Sequence, residues 1–396
     1  MYNLIRKIAL LVRERSNIRQ EFKVLRQFEE WRTLFDQFPA SAKAENKLAI
    51  IRVDDIGDYL LFRNFLTFYK NSTRFKNYSI TLIGNIVWKS IFEEFDTASV
   101  DQTIWVDKHQ YFSNKNYRTD LWKNINVQNF TTVVCPSRTR PLLLDDMMAL
   151  ATKATYKIAC SNSHTVEECN NASDNLYDEL FPSNFLEHEY HFNRAFTEKI
   201  NKIVLPIASP SLPFTLNAII PDKTVICFIG ASAKSKTWPV NYWIVLIKTL
   251  LKNDLNPLLV GGKNELEMAN KIIDQTGVSS IVGQTNLIQT LNTIANAMAV
   301  VTGDTMAVHA AAAYSKPTVI IANGINAKRF VAYQEAGFNF IRTVYSKPYL
   351  KTASKNETRY RAVTKDMQSI KPTVVFESLQ EVLNLALLPK NKKRVA

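Results

Sequence analysis

Three short clusters in this chain have residue types and spacing suited to chemistry, and each follows a β-branched apolar run. Asp54, Asp55 and Asp58 follow KLAIIRV (47–53). A carboxylate at such a turn either caps the next helix or, facing a cleft between domains, takes a proton from an acceptor hydroxyl. The second cluster is GASAKSKTWP (230–239), where Gly230, Ala231 and Ser232 form a tight turn with a hydroxyl. Lys234 and Lys236 can reach a phosphate from it as point charges. The third, GDTMAVH, opens a small-residue helix running from Ala307 to Ala313. Thr305 and the backbone N–H groups of Met306 and Ala307 suit a diphosphate there, because a helix start offers unpaired donors and partial positive charge. His309 follows one turn into that helix. Glu265, after Gly261-Gly262, reads either as a helix-start acid favoured by the dipole or as an acceptor for ribose hydroxyls.

Other chemistries lack their signatures. Neither GxGxxG nor GxxxxGK[ST] occurs, so dinucleotide and P-loop sites are without their phosphate fingerprints. His188 and His191 are three residues apart but lack a third ligand, and no metal or other cofactor is expected. Cys135, Cys160, Cys169 and Cys227 show no CxxC pairing, which suits buried thiols in a reducing compartment. The net charge of +13 fits a phosphorylated substrate or an anionic membrane surface. Its basic residues form no recognisable nucleic-acid motif, and no nucleic-acid partner is expected. No apolar run reaches the roughly 18 residues of a spanning helix, and the start of the chain does not read as a signal peptide.

The elements that must position these clusters are legible from periodicity. With 396 residues, 46% of them apolar, the chain can build two domains. Only 10 glycines occur, against roughly 28 at average usage, and most follow apolar runs, as turns from strand to helix require. Residues 1–44 read as a basic helical segment, with Ile18, Phe22, Leu25, Trp31, Leu34, Phe35 and Phe38 at helical spacing. That segment either lies on a membrane surface or packs on the body of the protein. A first α/β domain over 45–205 alternates strands at 47–53, 80–83, 103–106 and 131–135 with helical stretches including 87–95 and 142–153. A proline-punctuated linker (206–223) leads to a second α/β domain over 224–388. There, strands at 224–229, 257–260 and 280–282 precede the unit VVTGDTMAVHAAAAYSKPTVIIANG (300–324). A helix from about 374 to 388 and a basic tail (389–396) close the chain. Such sheets bind anionic ligands at the carboxyl ends of their strands.

In this order, IRVDDIGDYLL (51–61), GASAKSKTWP (230–239), GGKNELE (261–267) and the 300–324 unit resemble glycosyltransferase family 9, the ADP-heptose:lipopolysaccharide heptosyltransferase group. Weaker similarity lies in LYDELFP (176–182) with His188 and Glu189. The resemblance implies a GT-B fold, two Rossmann-like doubly wound domains facing a cleft, and inverting, metal-independent sugar transfer. It puts the catalytic aspartate at Asp58, the donor-phosphate lysine at Lys236 and the ribose acid at Glu265. The family's D-T-G-x-x-H donor loop falls on Asp304, Thr305, Met306, Ala307 and His309, with Gly230 and Ser232 completing the donor set. Met306 stands where the family has glycine, which reshapes the donor pocket or signals lost activity. Asp54 and Asp55 replace small hydroxyl residues, adding charge that Arg52 or another cation must compensate. Arg52 and Arg138 are the candidate acceptor contacts.

The expected function is transfer of a hexose or heptose from a nucleotide-diphosphate sugar, an ADP-sugar being favoured. The acceptor is a hydroxyl of a lipopolysaccharide-type or other surface glycan or lipid-linked saccharide. The expected location is cytoplasmic, peripheral on the inner face of the membrane. An inactive GT-B protein that binds glycan or membrane is the alternative. A nucleotide-sugar epimerase fits the architecture but not the motif set.

Overall fold

The computed structural model describes residues 2–39, 46–183, 187–206, 209–214, 220–231, 233–353 and 364–387; for 2–14 and 364–365 only the backbone is described. The chain divides into two compact units, Met1–Asn184 with Phe192–Pro206, and Phe185–His191 with Ile207–Ala396.

The first unit is built on β1 (Lys47–Arg52), β2 (Ser79–Asn85), β3 (Gln102–Val106), β4 (Thr132–Cys135), β5 (Tyr156–Cys160) and β6 (Glu179–Phe181). They pair in parallel in the order β3-β2-β1-β4-β5-β6. Ile50 lies opposite Leu82 on one side and Val134 on the other. β1 and β4 are buried on both faces, which explains why they read as continuous apolar runs. The sequence reading omits β5 and β6: the first begins with an exposed tyrosine, and the second is three residues without a buried position.

The second unit repeats this plan with β7 (Thr224–Phe228), β8 (Asn256–Val260), β9 (Ser279–Ser280), β10 (Ala299–Gly303), β11 (Thr318–Ala322) and β12 (Ile341–Tyr345). Its parallel order is β12-β11-β10-β7-β8-β9, the same doubly wound arrangement written from the opposite edge. In each unit the order reverses direction beside its first strand, between β1 and β4 and between β7 and β10, where open α/β sheets leave a crevice for ligand. β12 is the strand missed here; only Ile341 of it is fully buried.

Two expected helices change character. The stretch expected at 142–153 begins as a π-helical turn, Leu142–Asp146, before the helix Met147–Ala151. The N-terminal segment is a helix over Tyr2–Arg32 followed by a 3-10 turn, Thr33–Gln37. It packs on the first unit: Phe28 and Phe35 enter the core, with Ile18, Val24, Leu25, Trp31 and Phe38 packed against it. Phe22 and Leu34, expected on that apolar face, are instead exposed, since their register positions fall off the packed stripe. The linker positions 207–208 and 215–219 and the tail 389–396 lie outside the described residues. No described helix is long and apolar enough to cross a membrane.

Candidate active site

In the first unit, the crevice position is a braced turn. Asp58 lies in the first turn of the helix Ile56–Phe62 and is half-buried. Asp55 occupies the N-cap position without a side-chain cap bond; its carboxylate pairs with Lys108 at 2.6 Å. Asp54 pairs with Arg52 Nε at 2.7 Å. The two added charges therefore have their own cations. Asn85 Nδ2 and Trp88 Nε1 both donate to the Asp54 carbonyl, at 2.9 and 3.2 Å. Tyr59 stacks flat on Trp88 with ring centroids 3.9 Å apart. Gly84, inside β2, is required by this packing, because a Cβ there would meet the Trp88 ring at 2.3 Å.

Arg52 is the hub of that turn. Fully buried at the end of β1, it donates to the carbonyls of Asp58 (3.3 Å) and Pro136 (3.2 Å) and to Asn193 Oδ1 (3.4 Å). Its guanidinium also lies over the Phe62 ring. The expected acceptor contact is thus a brace behind the turn, since all its nitrogens face protein. Arg138 corrects the same way: it is fully buried over the Phe192 ring at 4.1 Å. Burying so weakly hydrated a cation against rings and carbonyls is what guanidinium does well.

Behind β4 lie two groups that sequence reading overlooked. Asp146 accepts hydrogen bonds from Arg140 (3.2 Å), Ser173 (2.5 Å) and Tyr177 (2.8 Å), all inside the core. Asp145, its neighbour on the π-helical turn, is buried, and burial together with the Asp146 charge pushes its carboxyl up to about 7. The only sequence signal was an Asp-Asp pair inside an apolar run.

In the second unit, the expected donor residues converge at the carboxyl ends of β7, β8 and β10. Lys236, in the 3-10 turn Lys234–Lys236, pairs with Asp304 at 2.6 Å. Its side chain keeps 20% exposure while that of Asp304 keeps 8%, so the lysine is the more exposed partner. Gly303 lies beside the Lys236 and Gly230 carbonyls: a Cβ built on it would sit 3.7 and 3.8 Å from them. One built on Gly230 would touch the Glu265 carboxyl carbon at 3.4 Å. Glu265 Oε2 accepts from Gly262 N at 2.9 Å, so this acid does cap its turn, as one of the two readings expected.

Thr305 is the N-cap of the helix Met306–Ala313, its hydroxyl accepting weakly from Ala307 N at 3.3 Å and hydrogen-bonded to the Thr302 hydroxyl at 3.0 Å. Met306 is half-buried at the first helical position and Ala307 fully buried behind it. Lys234 is exposed. Ser232 lies outside the described residues. His309 faces inward, its Nδ1 2.7 Å from the Tyr333 hydroxyl, and burial pushes its pKa down to about 4. It is a neutral ring supporting the helix from within. Asn323, not singled out by sequence, donates to the Ser235 carbonyl at 2.8 Å and so ties the lysine turn to β11. Trp238 is buried and donates to the Ile370 carbonyl at 3.0 Å, anchoring that turn from the other side.

The cluster therefore brings a partly exposed lysine, two glycines and a capped helix start together at a topological switch point. Residues 184–359 match the family described as glycosyltransferase family 9 (heptosyltransferase). No curated protein matches the chain at a significant level. Among solved structures, the chain is similar to a glycosyl transferase family 9 protein from Veillonella parvula DSM 2008, at 14% identity and TM-score 0.65, covering 87% of this chain and 99% of that one. It is similar to E. coli ADP-heptose lps heptosyltransferase II at 15% identity and TM-score 0.61, covering 86% and 99%. It is likewise similar to E. coli heptosyltransferase WaaC with ADP at 15% identity and TM-score 0.62, covering 85% and 99%. At such identities these three speak for the GT-B fold, while the family match falls on the stretch that carries the lysine turn and the capped helix. The stretch 184–359 is thus similar to glycosyltransferase family 9 (heptosyltransferase), and the chain as a whole shares the fold of that family's solved structures.

Proposed function

We propose that the protein transfers a sugar, heptose being one candidate, from a nucleoside-diphosphate donor to a hydroxyl of a surface glycan or lipid-linked saccharide, with inversion and without a metal. The donor diphosphate rests on Lys236, the Thr305 hydroxyl and the N–H groups that open the helix Met306–Ala313. Glu265 has one oxygen committed to Gly262 N and the other beside Gly230, where it meets the ribose. The acceptor hydroxyl gives its proton to Asp58 as its oxygen attacks the anomeric carbon. The bond from that carbon to the diphosphate oxygen breaks on the opposite side, and the nucleoside diphosphate leaves with the bonding pair. Charge thus grows on the diphosphate in the transition state, where a fixed ammonium and helix-start donors act most strongly. ADP is the favoured nucleotide, supported by the similar E. coli structure named as a heptosyltransferase with ADP.

The observation that carries this reading is the Lys236–Asp304 pair at 2.6 Å beside Gly230, Gly303 and the Thr305 cap. Asp304 holds the lysine ready, so binding requires no search by a flexible chain. The acceptor is proposed to reside at the inner face of the cytoplasmic membrane. The reading is tested by calorimetry with ADP-, GDP- and UDP-sugars, followed by a transfer assay with the donor that binds. Absence of binding by all three would overturn it in favour of the second reading, an inactive glycan- or membrane-binding protein of the same fold. Met306, half-buried where the family has glycine, is the observation on that side.

A further inference from the structure

The N-terminal helix has two faces with different tasks. From residue 18 onward one face belongs to the core of the first unit, through Phe28 with Ile18, Val24, Leu25 and Trp31. The other presents Arg15, Arg19, Lys23 and Arg26, all exposed, with Phe22 at 45% exposure among them. At 100° per residue these five positions fall within one stripe little more than a quarter-turn wide. The sole acid between Arg15 and Phe28 is Glu21, and it is turned the other way. Its carboxylate accepts from the Thr165 and Val166 N–H groups at 3.2 and 2.7 Å. Glu21 thus stands on the opposite side of the helix, and the stripe from Arg15 to Arg26 carries no acid.

Continued backwards at the same repeat, the sequence along this stripe reads Leu4, Ile8, Leu11 and Val12. The backbone is helical from Tyr2, so the helix runs for 31 residues, about 46 Å at the usual rise. A single helical line that is apolar in its first part and basic with an aromatic in its second is the pattern of a helix lying in a bilayer interface. Arginine and lysine there let their stems follow the apolar layer while their heads reach lipid phosphates. A nucleic-acid groove would use the cations but leaves an apolar line and an exposed phenylalanine without purpose.

We propose that this stripe, Arg15, Arg19, Phe22, Lys23 and Arg26, is the surface by which the protein docks on an anionic lipid bilayer. The inference rests on the membrane part of the functional reading and is independent of the transfer chemistry. Each basic side chain near such a surface strengthens binding severalfold, and the effect decays within a Debye length.

The test is co-sedimentation of the full chain with vesicles of phosphatidylcholine alone and of phosphatidylcholine with a third phosphatidylglycerol. Wild type is expected to bind the anionic vesicles only, and to lose binding as salt is raised. The variant Arg15→Gln, Arg19→Gln, Lys23→Gln, Arg26→Gln should bind roughly several hundredfold more weakly. These side chains are exposed, and an unchanged melting temperature and near-ultraviolet circular dichroism would show that the helix is still docked. Phe22→Ser should give a smaller loss that salt does not mimic. Asp58→Asn should bind vesicles like wild type, so failure of the docking idea and failure of the transfer reading would show in different experiments. Retained binding by the quadruple variant, equal binding to neutral vesicles, or no binding by wild type would each overturn the proposal. So would tighter binding to duplex DNA than to anionic vesicles at equal phosphate.

Discussion

The two units share one strand order, yet their crevices at the switch point are furnished in opposite ways. In the second unit, two glycines and a capped helix start surround one lysine held by one carboxylate at 2.6 Å. In the first, the corresponding space behind β1 and β4 is filled by Arg52 and Arg138, both fully buried, and by the carboxylates Asp145 and Asp146. One crevice is the proposed place for an anion to enter. The other is a rigid mount that fixes a turn and leaves Asp58 half-buried at its edge. On the proposed reading, the same topology serves a binding task in one unit and a positioning task in the other, where braced charges plug the crevice.

That contrast can be broken at several points. The largest effect is expected from Asp58→Asn, which should lower turnover by about 10²–10⁴ with donor in excess while leaving donor affinity unchanged. Turnover near the wild-type rate would remove Asp58 from the mechanism. Arg52→Met should be the most destabilising change in the first unit, by about 3 kcal/mol, because Asp54 and three acceptors lose a buried partner. Chemical denaturation measures it; a loss below about 0.5 kcal/mol, the level of an ordinary surface change, would show that Arg52 is no brace. Met306→Gly should sharpen the donor side modestly, tightening nucleoside-diphosphate binding a few-fold if the side chain crowds the diphosphate. Weaker binding would make the methionine part of the pocket instead.

The smallest expected effects are of opposite sign in the two units. Asp145 has its pKa raised to about 7, above the ordinary carboxylate value. The folded state therefore binds the extra proton, and this contribution to stability is present at low pH and lost as pH rises toward about 7. His309 is depressed to about 4, below its usual value near 6.5. Its contribution is present above that value and lost as pH falls toward about 4. Melting temperatures of Asp145→Asn and His309→Gln against wild type from pH 4 to 8 resolve both. Parallel pH profiles for each variant and wild type would contradict these environments.

The sequence was most readable where strands are central and buried. β1, β4, β7 and β10 could be read as apolar runs because both their faces are covered. β5, β6 and β12 could not, because partly exposed or very short strands carry polar residues that erase the pattern. That Gly230, Lys236, Asp304 and Thr305 lie near one another was legible because they are local to strand ends. What stayed hidden was direction: spacing cannot tell that Arg52 and Arg138 turn into the core, nor that Glu21 reaches Thr165 and Val166, 144 and 145 positions away. Asn323, which ties β11 to the lysine turn, is likewise a long-range partner with no local signature.

The account stands most directly on the grip of Lys236, set by Asp304, on a nucleoside diphosphate. Calorimetric titration of ADP into wild type, Asp58→Asn and Lys236→Ala measures it. The expected result is equal affinity for the first two and a loss of at least about tenfold for the third, the order of one charge-assisted contact. Equal affinity in all three, or none in any, would contradict it.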